Sequence, residues 1–301
     1  MRSRRRERLI RSATCVFPAS GRLGNQLFQY SALRTFLGPS QRLVLVDFDD
    51  LVGTFRGVRA EIRSSRRRGD RWRLRLLHRA RHLSGSPLGL IVQDPQTHLP
   101  IWKEAGTVAT VRGYFQRDHE GHASAIGALT FRPEIVAEVD AFLSRRLPGR
   151  PDAPVAFVHV RRGDYLRHAV GRKETGLGWV DSGPSVALSA AWYRARMSEL
   201  RDRLPGVRFI LAGDDPAWAE SKLAAADTVT SDLSASADLA ALGRCDAGIL
   251  SASSFAWWGA WFASRRSSGP FLAPEYWLGH AVGEWWPPHV ATQTLTYRQV
   301  W

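Results

Sequence analysis

A chain of 301 residues is long enough for two domains that each bury a core of their own, and its 44% hydrophobic content marks it as globular. No apolar run reaches the roughly 18 residues that span a bilayer, and Cys15 and Cys245 alone provide neither a disulfide framework nor metal-ligand spacing. The net charge of +14 would suit a nucleic-acid binder if it were spread along a groove, but residues 1–11 (six Arg, one Glu) and 59–81 (ten Arg, one Glu, one Asp) hold 13 of the 14 charges. No nucleic-acid partner and no metal are therefore expected. The start MRSRRRERLIRS lacks the apolar stretch of a signal peptide, which points to a cytoplasmic protein, soluble or resting on the inner face of the membrane.

Ala13 to Phe17 reads as a first strand. The Gly21 to Gly24 turn then opens a helix that Gly38-Pro39 ends. A strand, a glycine turn and a helix N-terminus form a place for an anion or a sugar, although the spacing is not G-x-G-x-x-G. Arg42 to Phe48 is a second buried strand. From Asp70 to Leu83 the spacing is helical, with Trp72, Leu76, Ala80 and Leu83 on one side and Arg71, Arg75, Arg79, His78 and His82 on the other. This Arg-rich segment, 59–83, reads either as a core-packed helix with a solvated arginine face or as a peripheral contact with an anionic membrane. Thr107 to Phe115 is another strand and Pro133 to Leu147 a helix. The polar, proline-rich PGRPDAP after it marks a boundary, so the predicted domains are 1–149 and 150–301.

The second half alternates strands (155–160, 208–212, near 228, 247–250) with helices (190–204, 217–224, 237–244, 255–264), the pattern of βαβ units and a parallel sheet. Its strands end in polar clusters. VAFVHV runs into Arg161, Arg162 and Asp164; RFILA runs into Gly213-Asp214-Asp215-Pro216; AGIL runs into Ser251-Ala252-Ser253-Ser254 before the helix FAWWGAWF. In open α/β sheets ligands sit outside the carboxyl ends of strands, and adjacent guanidinium groups there match phosphate or carboxylate oxygens. Each cluster also has a purely structural reading: an ion pair closing a strand, aspartates or serines capping the next helix, amides holding a turn.

HVRRGDY at 159–165, GDDPAW at 213–218 and SSFAWWGAW at 253–261 resemble the three motifs of the α-1,2-fucosyltransferases, glycosyltransferase family 11. GRLGNQLFQY at 21–30 resembles the N-terminal motif of that family, with GYFQ at 113–116 and AWYRARM in the expected order. The resemblance implies an α/β, GT-B-like fold of two Rossmann-like domains facing a cleft, the first on the acceptor side and the second binding GDP-fucose. It implies inverting transfer of L-fucose from GDP-fucose, without a further cofactor or a metal, to a galactose hydroxyl of an oligosaccharide or glycolipid, with other linkages or acceptors as the nearer alternative. The resemblance favours Arg161 as the principal phosphate ligand and His159 as a nucleotide contact; taken with the chemistry of the other motif residues, catalysis is assigned to Arg161, Arg162 and Asp164, and donor contacts to His159, Arg161, Gly24, Asn25, Gln26, Asp214, Asp215, Ser253, Ser254 and Phe255.

Without a metal, the charge growing on the expelled diphosphate must be met by cations and dipoles, the part of the two arginines and the serine-capped helix start. Guanine carries an N1–H and an amino group on one edge, which a carboxylate such as Asp214 or Asp215 accepts. Asp164 reads either as a direct participant or as the group that orients the arginine pair. Glu174 and Asp181, in the segment after the first motif, are the candidates for a base, and nothing in the spacing chooses between them.

Overall fold

The computed structural model describes residue 10 and residues 13–65, 88–148, 153–174 and 176–301. The basic helix expected at 70–83 lies outside the described residues. The chain divides into two compact units, Met1–Thr130 and Phe131–Trp301.

In the first unit, strands β1 (Thr14–Pro18), β2 (Arg42–Val46), β3 (Glu61–Arg63), β4 (Leu88–Gln93), β5 (Pro100–Glu104) and β6 (Val108–Arg112) form one sheet in the order β3-β2-β1-β6-β4-β5. All neighbours run parallel except β4 and β5. Helix α1 (Leu23–Phe36) follows the glycine turn, α2 (Asp49–Thr54) follows β2, and α3 (Gly121–Ile126) packs on α1. The core is supplied by the strand interiors and by Leu27, Phe28, Tyr30 and Leu33 of α1, all at most 1% exposed. Each such side chain contributes about 1.5–3 kcal/mol of hydrophobic stabilisation. Strands β3, β4 and β5 are not among the elements anticipated from sequence. LGLIVQ carries the apolar run of a buried strand, but β3 and β5 are short or half-exposed pieces without periodicity.

In the second unit, α4 (Pro133–Arg146) precedes β7 (Val155–Val160). Then come a hairpin of β8 (Ala169–Lys173) and β9 (Gly176–Val180), α5 (Ala190–Arg203), β10 (Arg208–Gly213), α6 (Pro216–Leu223), β11 (Thr228–Thr230), α7 (Ala235–Leu242), β12 (Ala247–Ile249), α8 (Ser254–Ser264), β13 (Phe271–Pro274) and β14 (Thr296–Arg298). The six sheet strands run parallel in the order β11-β10-β7-β12-β13-β14. This is the 3-2-1-4-5-6 order of a dinucleotide-binding sheet, and its direction reverses between β7 and β12. Strand β7 is central and its Ala156 to Val160 are buried, as the apolar run requires. Gly213, at φ +147°, closes β10: a Cβ there would lie 1.9 Å from the Val160 carbonyl oxygen, so only glycine lets β10 finish against β7.

The division between the units falls after Thr130, whereas the proline-rich linker pointed to residue 149. The reason lies in α4, whose Ile135 and Val139 pack against Ala237, Ala240 and Ala241 of α7. Its polar face is tied by Arg145 to Asp232 at 2.8 Å, by Glu138 to the Ser234 N–H at 2.9 Å, and by Asp140 to Arg244. The helix precedes the linker in the chain but shares the core that follows it. Cys15 and Cys245 are buried free thiols, one in each unit. Among the described residues no helix is long and apolar enough to cross a membrane.

Candidate active site

The direction reversal beside β7 opens a crevice at the strand ends, and the polar clusters expected from sequence meet there. His159, the last but one residue of β7, is 4% exposed and its Nδ1 lies 2.8 Å from Ser251 Oγ at the end of β12, across the switch point. Its backbone carbonyl accepts from the Ser251 N–H at 3.1 Å and from the Tyr193 hydroxyl at 3.3 Å, and its ring sits 5.4 Å from that of Phe255. Burial, followed by the charge of Arg161, pushes the imidazole down to about 3, so it is a neutral hydrogen-bonding group at physiological pH.

One residue beyond the strand, Arg161 donates to Asp164 Oδ1 at 2.7 Å and pairs with Asp214 Oδ2 at 3.0 Å. Arg162 donates its backbone N–H to Asp214 Oδ1 at 2.7 Å and its Nε–H to Asp215 Oδ2 at 3.3 Å, while its guanidinium lies 4.0 Å from the Trp218 ring centroid. Asp215 also caps α6, accepting from the Trp218 N–H at 3.1 Å. A Cβ on Gly163 would approach Asp214 Oδ2 to 2.7 Å, so a larger residue in the turn between the arginines and Asp164 would push the Asp214 carboxylate from its place. Two half-buried guanidinium groups are thus aimed by carboxylates from a different strand end. Asp214 and Asp215 are both engaged with the arginines, and the expected role of orienting the arginine pair falls on them as well as on Asp164.

Ser253 caps α8, its Oγ accepting from the Phe255 N–H at 3.3 Å, and Ser254 begins the helix. Tyr165 anchors the segment after the arginines to this helix start, its hydroxyl donating to the Ala252 carbonyl at 2.9 Å. Neither Tyr165 nor Tyr193 was singled out from sequence, although HVRRGDY and AWYRARM contain them; their hydroxyls reach partners 87 and 34 residues away, which spacing does not show. Glu174 follows β8 and Asp181 follows β9, both exposed, and among the described residues neither hydrogen-bonds the arginine cluster.

The first unit has a switch point of its own beside β1, which lies between β2 and β6. Gly24 is buried in the first turn of α1. Gln26, 3% exposed, donates to the Gly21 carbonyl at 3.3 Å and accepts from the Leu51 N–H at 2.9 Å, so its amide holds the turn to α2. Gln29 likewise donates to the Ser20 carbonyl at 2.9 Å. Asn25 is half-buried and its Oδ1 accepts from Gln116 Nε2 at 2.7 Å, so Gln116 of the GYFQ stretch joins the expected pair across 91 residues.

Residues 129–273 match the sequence profile of Glycosyl transferase family 11. Comparison with curated proteins finds no match. Among solved structures, the apo form of POFUT1 is similar at a TM-score of 0.50 with 12% identity, covering 86% of this chain and 97% of that one. An Arabidopsis thaliana FUT1 mutant in complex with GDP also reaches 0.50, with 10% identity over 87% of this chain and 71% of that one. The fucosyltransferase NodZ from Bradyrhizobium follows at 0.49 and 14% identity, covering 82% and 91%. At these identities the likeness to POFUT1 and FUT1 is one of fold, the GT-B-like class expected from sequence. The profile match takes in the arginine, aspartate and serine motifs together, so it is over residues 129–273, the part that carries these motifs, that the chain is similar to glycosyltransferase family 11.

Proposed function

We propose that the chain is an inverting fucosyltransferase that moves L-fucose from GDP-fucose to a galactose hydroxyl, through an α-1,2 linkage, on an oligosaccharide or glycolipid, without a metal. The observation that carries this reading is the pair Arg161 and Arg162, held by Asp214 and Asp215 beside the capped start of α8, within a glycosyltransferase family 11 segment.

In the proposed reaction the acceptor oxygen attacks the fucose anomeric carbon on the face opposite GDP. The bond from that carbon to the diphosphate oxygen breaks, the electron pair stays on the phosphate, and the acceptor proton passes to a base. Arg161 and Arg162 meet the charge developing on the diphosphate; because their partners fix them beforehand, little reorganisation is needed when that charge appears. The N–H groups opening α8 add a dipole of the same sign. His159, neutral and hydrogen-bonded to Ser251, presents its imidazole to the nucleotide without repelling a cation. Asp215, the more exposed of the two aspartates at 35% against 18%, accepts from the guanine edge, since each carboxylate oxygen takes more than one hydrogen bond. Asn25 and Gln116 offer amide groups to sugar hydroxyls, and Glu174 or Asp181 takes the proton.

The test is transfer from GDP-fucose to methyl β-galactoside and lactose in EDTA, with NMR of the product. An α-1,2-fucosylated galactoside is expected; a different linkage corrects the acceptor half, and no fucosylated product with any galactoside rejects it. Calorimetry with GDP, and ADP as control, reads the donor half separately.

A further inference from the structure

From the aromatic side chains gathered around the β8–β9 hairpin we infer that Trp179 is the platform on which the acceptor galactose stacks; the choice of sugar rests on the function proposed above. Trp179 is 38% exposed, although a buried indole would contribute one of the largest hydrophobic gains in the chain. It is not an isolated surface residue. Trp286 meets it edge to face at a centroid distance of 4.7 Å, His168 lies at 5.1 Å, and Tyr165 at 6.5 Å. These contacts brace the indole while leaving more than a third of the residue to solvent, the arrangement of a rigid apolar contact surface.

The platform is continuous with the arginine cluster. The Tyr165 ring that faces Trp179 on one side has the Arg161 guanidinium 5.5 Å from its centroid. Tyr165 is itself fixed at both ends, its hydroxyl on the Ala252 carbonyl and its backbone carbonyl on Ser185 Oγ at 2.8 Å. The base of the hairpin is tied to the same segment by the Val186 N–H on the His168 carbonyl at 3.0 Å. Trp179 therefore stands at a set place beside the groups proposed to hold the diphosphate.

The chemistry of the occupant follows from the surface. An indole face carries negative quadrupole density and attracts weakly positive C–H groups. In β-galactose the axial 4-hydroxyl leaves C3–H, C4–H and C5–H together on one face, which suits such a platform. In β-glucose the equatorial 4-hydroxyl breaks that patch, so the platform favours galactose.

The test labels the full-length protein with 5-fluorotryptophan and assigns the Trp179 resonance by its loss in Trp179→Phe. Methyl β-galactoside is expected to shift that resonance, and methyl β-glucoside to shift it far less. Trp179→Leu is expected to weaken galactoside binding by about tenfold or more, with Trp179→Phe intermediate and both variants binding GDP as the parent does. A resonance unmoved by saturating galactoside, or unchanged galactoside affinity in Trp179→Leu, overturns the inference while GDP binding and transfer leave the proposed function standing. Loss of GDP binding in the parent protein instead sinks that function, and the resonance still decides whether Trp179 meets a galactoside.

Discussion

Both units reverse strand order beside their first strand, but the switch points this makes hold different chemistry. In the second unit two arginines and three aspartates converge, with separations of 2.7–3.3 Å across two segments of the chain. In the first unit the amides of Asn25, Gln26, Gln29 and Gln116 gather at the corresponding place, where they satisfy each other and the surrounding backbone, Gln26 and Gln29 being buried. One topological device thus serves two purposes. Permanent charge reaches far enough to stabilise an anion as it forms, whereas neutral amides act only at hydrogen-bond distance and discriminate hydroxyl geometry.

The largest expected effect separates the two switch points by a single measurement. Arg161→Ala should weaken GDP binding by about 100-fold or more, since it removes charge-assisted hydrogen bonds and leaves Asp214 without its cation. Asn25→Ala should leave GDP binding unchanged and lower transfer by about tenfold. Equal losses of GDP affinity in both variants, read by calorimetry, would break the contrast.

Acid should probe both units together. His122 in the first unit, held between Ser31 Oγ at 2.8 Å and the Arg117 carbonyl at 2.9 Å, is pushed down to about 3 by burial, as His159 is in the second. The unfolded chain binds these protons near pH 6.5 and the folded chain does not. Each imidazole therefore contributes stability that is present above about pH 6.5 and lost as pH falls towards 3, by up to ~1.4 kcal/mol per unit. Asp238, pushed up to about 7 by burial, has the opposite sign: its folded state holds a proton that the unfolded state has released above pH 3.8, so its contribution declines as pH rises to 7. Two imidazoles against one carboxyl leave a net loss on acidification. Urea midpoints should fall from pH 6.5 to 4.5, and a flat profile would contradict the buried neutral histidines.

The smallest effects rank the carboxylates. Asp164 is 47% exposed and Asp214 18%, so Asp164→Asn should alter GDP affinity by less than about threefold while Asp214→Asn costs about tenfold. The local count of two positive against three negative charges makes Asp164 the carboxylate that yields when a diphosphate arrives. Similar losses from the two variants would assign Asp164 a direct role instead.

Much of the second unit was legible in the sequence because its strands are buried on both faces and end abruptly in charge. VAFVHV, RFILA and AGIL announce themselves by composition, and the residues that follow them are the ones that meet in the crevice. The hairpin of β8 and β9 was not legible, since Gly171, Gly176 and Gly178 interrupt any alternation, and with it the exposed Trp179 went unread. Local composition marks the proline-rich linker but does not reveal that α4, which precedes it, packs on α7.

Sequence alone determined the strand and helix alternation from β7 to α8, the parallel second sheet and the residue types at those strand ends, because burial of apolar runs and the termination of strands are local properties. Tertiary structure decided which of those residues are partners. Asp214 serves both arginines, Gln26 closes a turn, and Gln116 finds Asn25 only because parallel strands bring residues tens of positions apart to a common edge, a pairing that spacing does not encode.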